Sequence, residues 1–177
     1  MKPLEEFADI HSHSRRGPDI ITNLPLLTVP DTPFGRAWYS AGIHPWETAT
    51  PLPTTVWDWL AECAADPRVV AIGECGLDTL RGGPMPEQEK VFLAQARIAS
   101  RAAKPVIIHC VRAWHRLLAL RAQLPDNVPM IIHGFRGKPE LGGQLRRAGF
   151  RLSFGLKYNP QTMSEAQGGI YYRETDA

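Results

Sequence analysis

Cysteine is scarce in this 177-residue chain: Cys63, Cys75 and Cys110 make an odd count with no framework spacing. That excludes a disulfide scaffold and makes a reduced, cytoplasmic compartment the expectation. Long apolar runs are also missing. None approaches the ~20 residues of a membrane span, and the polar, acidic start, Met1-Lys2-Pro3-Leu4-Glu5-Glu6, does not read as a secretory signal. Charge of one sign is missing too. Twenty Lys+Arg against 18 Asp+Glu leave a net charge of +2, so a polyanion would have to be attracted locally. There is no internal repeat and no low-complexity tail. The chain is even short of residues for a complete (β/α)8 barrel, which typically takes ~250. What it does have is 44% apolar content and near charge balance. Those are the marks of a folded chain, and the expectation is one domain over residues 1–177.

Short apolar runs alternate with amphipathic helices. Strands are predicted at Phe7–His11, Ile20–Asn23, Trp38–Ile43, Val69–Glu74, Val106–His109, Met130–His133, Phe150–Phe154 and Ile170–Thr175. Most are too short for helices and are fenced by Pro or Gly. Val69-Val70-Ala71-Ile72 and Val106-Ile107-Ile108 are apolar throughout, as in strands buried on both faces of a parallel sheet. One helix is predicted from about Thr55 to Ala65. Another starts at Pro86, with Glu87 and Glu89 in its first turn and Phe92, Ala96, Ala99 and Ala103 forming one stripe. Trp114, Leu117, Leu118 and Leu124 mark a third. Pro139 opens a fourth that stops at Gly149. The strand–helix–strand repeat implies α/β architecture. Eight parallel strands would close a barrel with short early connections; fewer would leave an open sheet.

The six histidines are not scattered. His11, His44, His109 and His133 fall at predicted strand ends, and His13 lies two residues past the first. In a parallel barrel those ends open on one face, where distant residues converge. His11 and His13 at i and i+2 point the same way, so both can reach one cation. Glu74 closes an apolar strand, where an acid needs a partner or a metal. Ile-Ile-His occurs twice, ending in His109 and His133. Asp176 stands near the end of the chain. Imidazole and carboxylate donors suit Zn, Mn, Fe or Ni rather than Ca, and imidazole tilts against Mg. Six ligands are too many for one tetrahedral site. They fit two divalent ions with a bridging carboxylate, an arrangement that activates hydroxide for hydrolysis.

The ordered elements Asp9-Ile10-His11-Ser12-His13, Gly42-Ile43-His44-Pro45, Gly73-Glu74-Cys75-Gly76-Leu77-Asp78, Pro105–Arg112, Ile132-His133-Gly134-Phe135 and Glu174-Thr175-Asp176 resemble the TatD family of metal-dependent hydrolases, and most of all its short bacterial branch. The resemblance implies a TIM-like (β/α) barrel of the metallo-dependent hydrolase superfamily. It also implies a dimetal site (Zn, Mn, Mg, Ni or Fe) and activity on DNA or a small phosphodiester. Position by position, His11, His13 and Asp176 would hold one ion and His109 and His133 the other, with Glu74 bridging. Asp176 would also be the catalytic base. Arg112 matches a basic position of the family and could fork onto phosphate, assisted by Arg136, Lys157 and His44. Trp46 is expected either to line the pocket, where it could stack a base, or to close the core as a lid. Family members usually continue past Glu-Thr-Asp, so this chain is expected to lack the final helix. The uncovered barrel flank would then favour a homo-oligomer. Two alternatives stay open: a truncated barrel that binds metal or a partner without turnover, and an amidohydrolase on a small amide.

Overall fold

The computed structural model describes residues 2–30 and 37–176. Its centre is one sheet of eight parallel strands in chain order: β1 (Asp9–Ser12), β2 (Ile20–Asn23), β3 (Trp38–Ala41), β4 (Val69–Asp78), β5 (Val106–Val111), β6 (Met130–Ile132), β7 (Phe150–Phe154) and β8 (Tyr171–Arg173). Helices α1 (Thr54–Ala65), α2 (Met85–Arg101), α3 (Trp114–Leu120), α4 (Pro139–Arg147) and α5 (Pro160–Ala166) occupy the later connections. Every predicted strand is present. The eighth is shorter than expected, because beyond Glu174, whose N still donates to Phe154 O at 3.2 Å, Thr175 and Asp176 leave the β7 ladder. The third helix ends earlier than its apolar spacing suggested and gives way to a tight turn at Arg121–Gln123. Helix α5 was not anticipated. Its sequence is polar, but Asn159 caps it by accepting from Thr162 N, and Pro160 sits at its first position.

Two apolar layers hold the strands. The larger lies between sheet and helices and includes Leu60, Ile72, Phe92, Val106, Ile132 and Leu152. Cys75 and Cys110 pack there, pointing away from the adjacent Glu74 and His109 as strand alternation requires. The smaller joins Ile10, Ile21, Val70, Ile131 and Tyr172 with Leu4 and Phe7. Because Ile131 takes part in it, His133, two residues on, faces the same way.

Closure and aim are set by local irregularities. Among the described residues no ladder joins β8 to β1. Instead Thr175 N and Oγ1 donate to Asp9 Oδ1 and Oδ2, at 3.1 and 2.6 Å, and Asp176 N donates to His11 O at 3.1 Å. Three residues of β1 stand against two of β2 between Asp9 and Ser12. The same happens in β4 against β5 between Ile72 and Cys75. Such bulges turn a side chain out of strict alternation, and these two bracket His11 and Glu74.

Candidate metal centre

Glu74 is the hub. It ends the apolar run of β4 and its side chain is 4% exposed. Its backbone is anchored by the Asn23 side chain, which accepts from Glu74 N at 3.0 Å. The two carboxylate oxygens face different histidines. Oε2 lies 3.2 Å from His11 Nε2 and 3.6 Å from His13 Nε2. Oε1 lies 2.6 Å from His109 Nδ1, 2.7 Å from His133 Nε2 and 3.3 Å from His44 Nε2. Asp176 Oδ1 approaches the first pair, 3.7 Å from His11 Nε2 and 3.6 Å from His13 Nε2.

The donor set fits a metal. A tetrahedral ion with bonds of ~2.1 Å separates its ligand atoms by about 3.4 Å. The contacts joining His11 and His13 to Glu74 Oε2 and Asp176 run from 3.2 to 3.7 Å. His11 is fully buried, yet neither of its ring nitrogens has a hydrogen-bond partner. A buried polar group left so costs about 1–3 kcal/mol, a cost that ligation of Nε2 relieves. Around Oε1 two histidines sit closer, His109 Nδ1 and His133 Nε2, both at hydrogen-bond distance. The cysteines are not donors: burial pushes the Cys63 thiol up to about 11 and Cys110 to about 12, and that of Cys75 further still.

Two carboxylates stand behind the histidines. Asp78 Oδ2 is 3.2 Å from His109 Nε2, and Glu174 Oε1 is 3.3 Å from His133 Nδ1. Each imidazole is thus held between Glu74 on one nitrogen and an outer acid on the other, which fixes ring orientation. Sequence reasoning gave Asp78, Glu174 and Asn23 no role. The signal for the two acids was their spacing, four residues past Glu74 and two before Asp176, in segments otherwise apolar or already chosen for a ligand. His44 is set apart by its own turn: its Nδ1 accepts from Trp46 N, so the neutral ring carries its proton on Nε2. It is therefore a donor toward Glu74 or a bound anion, as its substrate-side reading requires.

The remaining predicted residues divide by position. His13, His44, Trp46, Glu74, His109, His133 and Asp176 line one cavity of about 340 Å³. Arg136 and Lys157 line a smaller cavity of about 150 Å³ that shares Asp176. Arg112 is exposed just past β5 in a left-handed conformation, φ 52°, and lines neither. Trp46 is a rim residue rather than a core lid, 42% exposed.

The electrostatics of the cluster are reciprocal. Burial opposes the charge on His133, but Glu74 and Glu174 outweigh it and hold the imidazole well above its ordinary 6.5. Burial likewise opposes the charge on Glu74, and the charge of His133 with hydrogen bonds from His109 and His133 holds it well below 4.5. At half-buried His13, desolvation and the neighbouring His11 lower the value. These shifts predict the pH profile of the metal-free protein. The His133 contribution is complete below 6.5 and is lost as pH rises through its raised value; that of Glu74 is complete above 4.5 and is lost as pH falls through its lowered one. Thermal midpoints in a chelator should therefore be highest between those limits and decline on both sides. Added Mn or Zn should stabilise little at pH 5 and much more at pH 8, because protons and metal compete for the same nitrogens. A metal-induced shift independent of pH would contradict this.

A family described as TatD related DNase matches residues 23–172. The 3'-5' ssDNA/RNA exonuclease TatD of Shigella flexneri serotype 5b is 40% identical over 114 residues, covering 60% of this chain and 42% of that one. The protein of the same name from Escherichia coli K12 gives the same values. The chain thus spans less than half the length of these curated relatives. Among solved structures, the TatD homolog YJJV of Escherichia coli K12 superposes with a TM-score of 0.67 at 21% identity, over 86% of this chain and 69% of that one. A TatD family hydrolase from Entamoeba histolytica gives 0.64 at 20% identity, over 78% of this chain and 50% of its own length. Both likenesses concern the fold. Among the described residues no helix is long and apolar enough to cross a membrane.

Proposed function

The chain belongs to the TatD-related DNase family, and from that premise we propose that it is a divalent-metal hydrolase of phosphodiester bonds in single-stranded nucleic acid. The observation that carries this reading is the division of labour at Glu74, whose two oxygens face two separate donor sets. In this reading His11, His13 and Asp176 would hold one ion, and His109 and His133 the other, with Glu74 serving both sets. Two divalent ions so held would supply activated water at neutral pH and Lewis acidity toward the phosphoryl oxygens. The relatives' printed names supply the substrate class, ssDNA or RNA.

The chain's own residues do the rest. Asp176 is about one-third exposed and faces the open cavity, so its carboxylate can take a proton from the attacking water. The Nε2–H of His44 can donate to a phosphate oxygen. Arg136 and Lys157 line with Asp176 a cavity that His44 does not reach and neutralise the backbone of the substrate; Arg112 serves at longer range from the β5 loop. Buried, unpaired cysteines fit a reducing compartment, the cytoplasm.

The test uses protein stripped by chelator and reloaded with Mn, Zn or Mg. Release of mononucleotides from an end-labelled single strand should return with metal and stay absent without it. Stoichiometric metal binding with no cleavage of any phosphodiester would overturn the proposal.

A further inference from the structure

The loops after the strands carry exposed apolar side chains that the metal cluster does not use. Leu27, Trp46, Leu80, Leu156 and Tyr158 are exposed, and they follow β2, β3, β4 and β7. Of these, Trp46 is held in place by its neighbours. Its indole N–H donates to Asp78 Oδ2 at 2.7 Å. The Arg81 guanidinium lies 4.5 Å from the ring centroid. His44 meets the ring edge-on with centroids 4.7 Å apart. A large aromatic kept exposed in a fixed orientation is a prepared surface, since little side-chain freedom is left to lose on binding.

Each member of this pair lines a different cavity. Trp46 lines the one above the metal cluster. Arg81 lines a second, of about 590 Å³, together with Asp78, Leu80, His115 and Arg116. Asp78 belongs to the second cavity and bonds the tryptophan of the first, so the indole and its arginine join the linings of the two. Arg116 is already paired with Glu89 at 2.5 Å. Among the described residues Arg81 has no carboxylate partner, and its guanidinium lies over the Trp46 ring. Its charge and its N–H fork remain available to a ligand.

We infer that the second cavity is a nucleotide subsite. Trp46 and Arg81 would receive the base and phosphate of the nucleotide next to the one at the metal cluster, in a strand whose bases are unstacked. This deepens the proposed function and rests on it. An aromatic face takes any base, so recognition here is tolerant of sequence. A paired duplex has no free base face to offer, so the same feature selects single strands. A guanidinium stacked on an indole keeps its in-plane donors free, which lets Arg81 fork onto phosphate without leaving the ring.

The experiment measures fluorescence anisotropy of a labelled six-thymidine strand with phosphorothioate linkages, using Mn-loaded protein. An abasic strand of equal length is the comparison. Hydrolysis of bis(p-nitrophenyl) phosphate, too small to span both cavities, is measured alongside. Trp46→Ala and Arg81→Ala should each weaken binding of the thymidine strand by about 5- to 100-fold, and the wild-type protein should bind the abasic strand weaker by a similar factor. Arg81→Ala should hydrolyse the small ester within about twofold of wild type. Equal affinity for thymidine and abasic strands, or no effect of Arg81→Ala on binding, overturns the subsite. So does a loss of ester hydrolysis as large as the loss of strand binding, which would mark a structural role. A protein that binds the strand through Arg81 yet cleaves no phosphodiester overturns the hydrolase reading and keeps the subsite. Ester cleavage with strand affinity untouched by either substitution does the reverse.

Discussion

Glu74→Gln is expected to lower phosphodiesterase activity at least about a thousandfold, roughly 4 kcal/mol of barrier. Glutamine keeps the volume and one carbonyl oxygen, so the buried site has no cavity to collapse into. What it cannot keep is two equivalent anionic oxygens. The wild-type carboxylate has His11 and His13 near Oε2 and His109, His133 and His44 near Oε1. With glutamine, one of those sets meets an NH2 group, a donor where an acceptor stood. The charge that raises the His133 pKa is also gone, so that ring titrates lower. Metal content by elemental analysis should fall well below that of the wild type, while near-ultraviolet circular dichroism shows packed aromatic residues. Full metal content with activity within tenfold of wild type would remove Glu74 from the bridging role.

The second large effect is structural and reaches the site through the backbone. Gly76 lies in β4 at φ +147°, paired with His109 of β5. A Cβ there would stand 2.1 Å from His109 O and 3.0 Å from His109 C. Neither atom is the end of a flexible chain; both belong to the strand that presents a proposed ligand. Gly76→Ala therefore combines a strained φ, about 1–3 kcal/mol, with overpacking of about the same size. A loss of about 2–6 kcal/mol follows, read as the shift of the urea midpoint. In whatever remains folded, β5 must move away from β4. His109 then leaves Glu74 and Asp78, and metal affinity drops with stability. Gly168→Ala is the control: its Cβ meets nothing within 4 Å, and its stability should stay within about 0.5 kcal/mol of wild type. Equal midpoints for the two variants would refute the close-approach argument.

How much of this was legible in advance depends on the range of the interaction. The strands were legible because a run such as Val106-Ile107-Ile108 can be satisfied only inside a covered sheet. The six proposed ligands were legible because histidine or acid at the end of such a run is costly unless used, and a parallel sheet gathers those ends. Helix α5 was not, since its polar residues carry no stripe and its cap, Asn159, is a single side chain. The shortened β8 was not either. Thr175 and Asp176 are drawn off the ladder by Asp9 and His11, more than 160 positions away in sequence. Arg112 differs in kind: the family resemblance points to it as a phosphate contact, and the fold puts it on the surface past β5, lining neither cavity.

The sequence by itself determined the order of the elements, the side of the sheet on which the chemistry gathers, and which residue types meet there. Periodicity and the cost of burying imidazoles and carboxylates are local rules, and they act on neighbours in the chain. Only the tertiary structure decided which atoms face each other. It divided the oxygens of Glu74 between two sets of histidines, put Asp78 behind His109 and Glu174 behind His133, and set Trp46 of one cavity against Arg81 of another. Those relations depend on bulges, strand register and closure across the sheet. They are fixed by contacts between residues far apart in the chain, and no pattern along one strand encodes them.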